Sequence, residues 1–327
     1  MSETNPHGRF VWHELMTADP EAAIKFYPGV TGWDVLPFDQ DPSYRMWTVK
    51  GTPIGGVLPI PEEAKAMGAR PHWLPYIGTL DVRGMTLHAE RLGAQVMVPP
   101  TTIVVGTFSV IRDPQGATIA LFQAVGPAMG HEGESEVGEF SWHELMTSDG
   151  VAAWAFYREL CGWTGTGAMD MGPDGTYQMF GRNGVELGGI YNKPARVPGA
   201  PAWLSYVRVA STDRAAAATT RGGGSVASGP MEVPGGNYIA GLRDSHGVSF
   251  AVHEERENVA PAAKPRAKAK PKKKAKAAPK AKKKSKPAPK KKSKVAPKKK
   301  SKPKKTVKAK AKTKAKPKPK KKARAKK

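Results

Sequence analysis

The sequence predicts an α+β fold: two tandem domains, each built from two βαβββ modules forming a curved mixed sheet, followed by a disordered C-terminal tail. Three observations predict it: an internal repeat, a regular order of strand-like and helix-like segments within each repeat, and an abrupt change of charge near residue 260. The net charge of +25 is an average over two different polymers. Residues 261–327 hold 35 Lys and Arg and no Asp or Glu, which leaves 18 basic against 28 acidic residues in residues 1–260. The body is acidic, at −10, and large enough for two domains that each bury a core.

The repeat is the strongest signal. Trp12-His13-Glu14-Leu15-Met16-Thr17 recurs as Trp142-His143-Glu144-Leu145-Met146-Thr147. The match continues through Asp19/Asp149, Phe26-Tyr27/Phe156-Tyr157, Gly32-Trp33/Gly162-Trp163, Tyr44/Tyr177, Gly55-Gly56/Gly188-Gly189, Trp73-Leu74/Trp203-Leu204, Tyr76/Tyr206 and Arg112-Asp113/Arg243-Asp244. A unit of this size is a domain rather than a solenoid repeat. The first domain is assigned to 9–125, a Gly-, Glu- and Ser-rich linker to 126–138, the second domain to 139–254 and the tail to 255–327.

In the first repeat, Phe10–Thr17 reads as a strand. Asp19 followed by Pro20 is a helix start, because the carboxylate caps free amides and proline suits the first turn. Ala22, Ala23, Phe26 and Tyr27 form one apolar stripe on a short helix expected to end before Pro28-Gly29. Strands follow near Trp33–Phe38, Tyr44–Lys50 and Ile54–Pro59. The order then repeats: a strand at Trp73–Leu80, a helix at Gly84–Leu92, and strands near Gln95–Val98, Thr107–Arg112 and Thr118–Gln123. Asp113-Pro114-Gln115-Gly116 makes the last turn. Helices on one face of such a bent sheet leave the other face as a concave pocket.

This order, the phrase Asp-Pro-Glu-Ala-Ala-x-x-Phe-Tyr at 19–27 with Gly32-Trp33 after it, and Arg112-Asp113-Pro114-Gln115-Gly116 before the last strand together resemble the vicinal oxygen chelate superfamily. That superfamily includes glyoxalase I, bleomycin-resistance proteins and extradiol dioxygenases. The resemblance spans about residues 9–124 and 139–254 and is specific for fold and weak for reaction. It implies one divalent metal per domain in the enzymes, held by His, Gln or Glu on the first strands of the modules and Glu on the last. Carried over position by position, those sites fall on Trp12 and Trp142, near Trp73-Leu74 and Trp203-Leu204, and on Ala120 and Ala251, so no cofactor is expected. A slip of one residue on the first strand gives the alternative, a metal held by His13 or His143. His253 and Glu254 make the second domain the better candidate for it, while the first offers only His72 and Gln123.

If Trp12 faces the concavity, Glu14 and Met16 stand beside it, as do Glu144 and Met146 beside Trp142. Glu14 and Glu144 are the candidate catalytic groups, since burial raises a carboxyl pKa and suits it to general acid or base work. Tyr44, Met46, Trp73, Tyr76 and Phe108, with Tyr177, Met179, Trp203, Tyr206 and Tyr238 as counterparts, complete a lining suited to a flat or apolar small-molecule ligand. The competing reading is that the aromatic residues fill the core and the two carboxylates are structural. The glycine runs Gly55-Gly56 and Gly222-Gly223-Gly224 lack the strand-to-helix context of a phosphate loop and read as turns.

The tail is composed almost wholly of Lys, Ala and Pro, with no aromatic residue, and is similar to linker-histone tails. Its lysine triplets, Lys272, Lys273, Lys274, Lys282, Lys283, Lys284, Lys290, Lys291, Lys292, Lys298, Lys299 and Lys300, are expected to track phosphates and bind DNA or RNA non-specifically by counterion release. Phosphorylation of Ser285, Ser293, Ser301 or Thr306 would weaken that binding. The single cysteine, Cys161, cannot form an internal disulfide, the start lacks the pattern of a secretory signal and no apolar run is long enough to span a membrane. A cytoplasmic, nucleoid-associated location is expected. The tandem domains pair either within one chain or as a homodimer.

Overall fold

The computed structural model describes residues 5–127, 129–131 and 133–255; the lysine triplets of the tail lie outside the described residues. In the first repeat the elements are β1 (Phe10–Thr17), α1 (Pro20–Thr31), β2 (Asp34–Phe38), β3 (Asp41–Val49), β4 (Thr52–Pro59), α2 (Glu62–Ala66), β5 (His72–Gly78), α3 (Val82–Arg91), β6 (Gln95–Ile103), β7 (Gly106–Arg112) and β8 (Thr118–Ala124). The second has β9 (Phe140–Thr147), α4 (Gly150–Cys161), β10 (Thr164–Asp170), β11 (Thr176–Arg182), β12 (Val185–Asn192), β13 (Ala202–Arg208), α5 (Thr212–Arg221), β14 (Ser225–Glu232), β15 (Tyr238–Arg243) and β16 (Ser249–Glu254). Each repeat forms one eight-stranded mixed sheet, in the orders β2-β3-β4-β1-β5-β8-β7-β6 and β10-β11-β12-β9-β13-β16-β15-β14. The two βαβββ modules of a domain join where β1 runs antiparallel to β5, and β9 to β13.

Local chemistry sets the helix ends. Asp19, Asp81 and Asp149 accept from the backbone N–H three residues on at 2.9 to 3.0 Å, and Ser211 does the same at 3.3 Å. Helix α1 does not end before Pro28-Gly29 as expected. It continues to Thr31 with Pro28 inside, and Gly32 closes it in the left-handed region at φ 79°, its N–H donating to the Pro28 carbonyl. Burial of Tyr27, Val30 and Thr31 offsets the hydrogen bond that proline cannot make. The short helix α2 was not foreseen.

The helix-bearing faces of the two sheets pack against each other, so the domains pair within the chain. The cores are exchanged between them. One cluster joins Leu15, Phe26, Tyr27, Trp33 and Trp47 of the first repeat to Val207, Ala215, Leu242 and Phe250 of the second. Its counterpart joins Ile77, Met85, Ile111 and Ile119 of the first repeat to Tyr157, Leu160, Trp163 and Phe180 of the second. Two polar bonds pin the exchange: Tyr27 donates to Asp244 at 3.1 Å and Tyr157 to Asp113 at 2.9 Å. Asp113 also accepts from the backbone N–H groups of Gln115, Gly116 and Ala117, so one carboxylate closes its own turn and reaches across the interface. Cys161 is enclosed in this core, where desolvation raises its pKa and leaves it a small apolar residue rather than a nucleophile.

At the centre of the interface the His13 and His143 Nε2 atoms lie 2.7 Å apart. Phe140 stacks on His13 and Phe10 on His143, each at 3.6 Å between ring centroids. At that distance one ring donates and the other accepts, so at least one is neutral, and burial disfavours a charge on the other. Desolvation and the proximity of His143 hold the His13 pKa well down, and desolvation brings His143 to about 3.

A histidine whose pKa falls on folding binds its proton only in the unfolded chain between the two values, so stability drops as pH falls below about 6.5. Each of the pair should contribute up to about 1.4 kcal/mol of loss per pH unit. His7, His72 and His253, also lowered, add to the same slope. We therefore expect the melting temperature to fall between pH 7.5 and 5.5, and the fall to be distinctly smaller in the His13→Gln/His143→Gln double variant. Thermal unfolding followed by circular dichroism across that range checks it; equal slopes in the two proteins would contradict it.

Candidate functional site

Because β1 turns Leu15 and His13 toward the other domain, Trp12, Glu14 and Met16 face the concave side. A bulge between Phe10 and Trp12 brings Val11 to that side as well. Cross-strand partners share a face, so Leu74 and Tyr76, opposite Glu14 and Trp12, join them, as do Met46 and Gly56. The polar groups form a chain. Trp12 Nε1 donates to the Tyr44 hydroxyl at 2.9 Å, Tyr44 donates to Glu14 Oε1 at 2.9 Å and Tyr76 to Glu14 Oε2 at 2.6 Å.

The second domain repeats most of the chain: Trp142 Nε1 donates to Tyr177 at 2.8 Å and Tyr206 to Glu144 Oε2 at 2.9 Å, and the nearby Tyr177 and Tyr191 hydroxyls also favour the Glu144 anion. Burial raises both glutamates above the ordinary carboxylate range, and the tyrosine donors oppose the rise. The same contact with a carboxylate, added to burial, raises the tyrosines. Each site is therefore a desolvated carboxylate held by neutral donors, able to bind a ligand donor or take up a proton.

The glycine pairs are part of this construction. Gly55-Gly56 is not a turn, since both residues lie within β4, as Gly188 and Gly189 lie within β12. A Cβ on Gly56 would stand 1.9 Å from the Tyr44 hydroxyl, and one on Gly189 2.1 Å from the Tyr177 ring. A Cβ on Gly55 or Gly188 would strike the carbonyl of His13 or His143 at 2.4 or 1.8 Å. Only a bare backbone lets the tyrosine lie across the strand to its carboxylate.

Of the expected lining, Trp12, Met16, Tyr44, Met46, Tyr76 and Phe108 gather in one concave cluster. Trp142, Met146, Tyr177, Met179 and Tyr206 take matching places around Glu144 by register. Trp73 and Trp203 do not belong. They sit opposite Leu15 and Leu145, one residue out of phase, in the interdomain cores, where their indole N–H groups donate to Tyr27 and Tyr157. Tyr238 is a further correction: it shares the face of Ala240 and Leu242, and the counterpart of Phe108 is Ile239. Three polar concave residues were not singled out, Ser141, Tyr191 and Arg208, all differing from their first-domain counterparts Val11, Leu58 and Gly78. Open grooves also lie along α3 and α4 and along α1 and α5, away from both carboxylates.

The residues present do not fit a divalent metal. The concave positions corresponding to the superfamily's ligands hold indole and aliphatic side chains, and both oxygens of Glu14 are engaged by tyrosines. Among the described residues no three His, Cys, Asp or Glu lie close enough together to hold one ion. The alternative ligands are not brought together in either domain: His13 and His143 are turned to each other, His72 bonds the Arg70 carbonyl, and Glu254 accepts from Thr212. The first two meet at the interface, and His253 stands at the end of the second concavity with Nδ1 3.1 Å from the Ser141 hydroxyl.

Comparison with known proteins agrees with the topology. The model of the glyoxalase/bleomycin resistance protein/dioxygenase superfamily matches residues 9–121. A Mycobacterium tuberculosis protein named "Putative glyoxylase CFP32" is 33% identical over 74% of this chain and 92% of its own length. The anthracycline biosynthesis protein DauV of Streptomyces sp. is 28% identical over 78% of this chain and 96% of its own. Among solved structures, the Mn(II)-bound glyoxalase from Novosphingobium aromaticivorans has a TM-score of 0.53 at 16% identity, covering 77% of this chain and 83% of that one. The 2,3-dioxygenase LapB from Pseudomonas sp. KL28 has 0.56 at 13% identity, covering 78% and 94%. With its tandem βαβββ sheets and a relative matched over nearly its whole length, this chain belongs to the glyoxalase/bleomycin resistance protein/dioxygenase superfamily.

Proposed function

We propose that the body of this protein binds a planar aromatic small molecule on a concave sheet face without a divalent metal, and that the basic tail holds the chain on nucleic acid. The observation that carries the first part is the chain of indole, tyrosines and buried carboxylate, built in both domains where metal-ligating side chains would otherwise stand. Aromatic and thioether surface supplies dispersion to a flat ligand, and one carboxylate fixes its orientation by accepting from a ligand hydroxyl. The same carboxylates, Glu14 and Glu144, are the groups that would accept a proton from a bound phenol. The relative DauV carries the name of an anthracycline biosynthesis protein, which is consistent with a polycyclic aromatic ligand.

The metal-dependent reading rests on the solved neighbours, of which one is described as an Mn(II)-bound glyoxalase. The two readings separate in one experiment. Full-length protein dialysed against EDTA and titrated with emodin, a trihydroxyanthraquinone, should quench tryptophan fluorescence saturably in the micromolar range. Elemental analysis should find well under one equivalent of metal per chain before dialysis. Binding that appears only on adding back a stoichiometric metal would overturn the metal-free reading.

For the tail, 35 basic residues without a carboxylate will release counterions on any polyphosphate. The whole chain, against residues 1–260 with their net charge of −10, should bind duplex DNA of unrelated sequences equally well. Its affinity should fall by about a thousandfold or more between 50 and 200 mM salt, as expected for six or more neutralised phosphates. Fluorescence anisotropy at several salt concentrations measures the slope. DNA binding by residues 1–260 as tight as that of the whole chain would remove the tail from this role, and binding by the tail that compacts DNA while the body takes no ligand would favour an architectural protein.

A further inference from the structure

The two concave faces are built on one plan but are not equivalent. In the first domain the far end of the concavity is closed by apolar side chains. Val11, Val98, Val110 and Phe122 pack with Trp12 and Tyr76, and Met129 from the connecting segment packs against them. The Arg9 guanidinium anchors that segment by donating to the Met129 carbonyl at 3.2 Å. Trp12 is 9% and Glu14 8% exposed as a result.

Strand register assigns the counterparts in the second domain one by one. Val11 becomes Ser141, Val98 becomes Ser228, Val110 becomes Gly241, Phe122 becomes His253 and Gly78 becomes Arg208. Bulk is lost at four of these places and gained at the fifth, Arg208, and polar atoms are gained at four. Trp142 and Glu144 are correspondingly more exposed than Trp12 and Glu14, though Glu144 is still desolvated, while Met146 and Met16 are alike. The new polar groups are organised. Ser141 Oγ lies 3.1 Å from His253 Nδ1, Arg208 and Glu255 form an ion pair beside that ring, and Arg208 also donates to the Ser135 carbonyl. With Nδ1 engaged, Nε2 is the ring atom left to meet a ligand, as donor or acceptor according to the tautomer.

We propose that only the second domain binds the ligand, one molecule per chain, and that Ser141 and His253 determine its specificity by reading a hydroxyl or carbonyl oxygen on the end of a planar polycyclic phenol or quinone remote from Glu144. The first domain is then a filled copy that serves as the packing partner completing the second domain's helix-side core. This rests on the ligand-binding reading above and adds the allocation and the reading residues. A ligand with oxygens at both ends satisfies both polar stations, Glu144 with its tyrosines at one and Ser141 with His253 at the other, while its rings cover the aromatic and thioether surface between. An analogue lacking the second oxygen leaves buried polar groups unpaired and binds more weakly.

Isothermal titration calorimetry of the EDTA-treated full-length protein with emodin tests it. The expected result is one site per chain. The Ser141→Val/His253→Phe variant installs the residues that the first domain already carries at these places, and it should weaken binding at least tenfold with the melting temperature held within a few degrees. Ser141→Ala, a smaller change for the case in which the double variant does not fold, should weaken it roughly fivefold. Val110→Ile in the first domain should leave affinity and stoichiometry unchanged. Two equal sites per chain, or one site whose affinity the Ser141 and His253 variants leave intact, would overturn the allocation while keeping the ligand-binding reading. No emodin binding at all to the intact chain would overturn both.

Discussion

The exchange of cores across the interdomain interface is the constraint on which the rest depends. A curved sheet with helices on one side has two faces, and the chain has to bury the helical one. Here neither domain does so alone. Helix α1 packs toward α5, α3 toward α4, and Tyr27 and Tyr157 each bond to the turn aspartate of the other domain. With the helical faces turned inward, both concave faces are directed away from the interface. A duplication in tandem suits this arrangement because it supplies the partner surface within the same chain, at no dependence on concentration.

That interface also explains the fate of the histidines. On β1 and β9 they alternate with the carboxylates, so a residue that could ligate a metal points toward the other domain whenever its neighbour points into the concavity. Paired at the centre and stacked on phenylalanines, the two rings need to be neutral, which makes them a structural element sensitive to acid. The carboxylates on the opposite face are desolvated too, yet their donors are phenols rather than cations. The consequence is a carboxylate held by neutral donors, with its pKa raised by burial and no cation paired to it.

Much of this was legible in the sequence. The repeated Trp-His-Glu-Leu-Met-Thr marked the strand and its alternation grouped Trp12, Glu14 and Met16 on one face, while which face is concave was an expectation from the family resemblance, with a one-residue slip left open. Trp73 and Trp203 were misplaced because β5 and β13 are central strands with both faces largely buried, and Trp-Leu-Pro-Tyr offers no apolar and polar alternation from which to read a face. Gly55-Gly56 carried a signal that was read as a turn. Glycines inside an otherwise regular strand mark a close approach by another group, and here two approaches meet, a neighbouring carbonyl and a tyrosine ring. Helix α1 ran past its proline because tertiary burial of Val30 and Thr31 outweighed a local breaker.

Ser141, Tyr191 and Arg208 escaped notice for a different reason: a duplicated sequence draws attention to what its halves share. Identity between repeats reports first what both halves need in order to fold, namely the caps, the cross-domain tyrosines and the glycine pairs. Departures between them, where one copy is apolar and closed and the other polar and open, report what the halves do differently. Val11 against Ser141 and Phe122 against His253 are silent as sequence, because an isolated change from an apolar to a polar residue between repeats is ordinary. They acquire meaning only once the bulge in β1 and β9 and the parallel pairing of β13 with β16 bring Ser141 and His253 to the same end of the same concave face. Function in a tandem fold is then encoded in the differences, and the scaffold in the likeness.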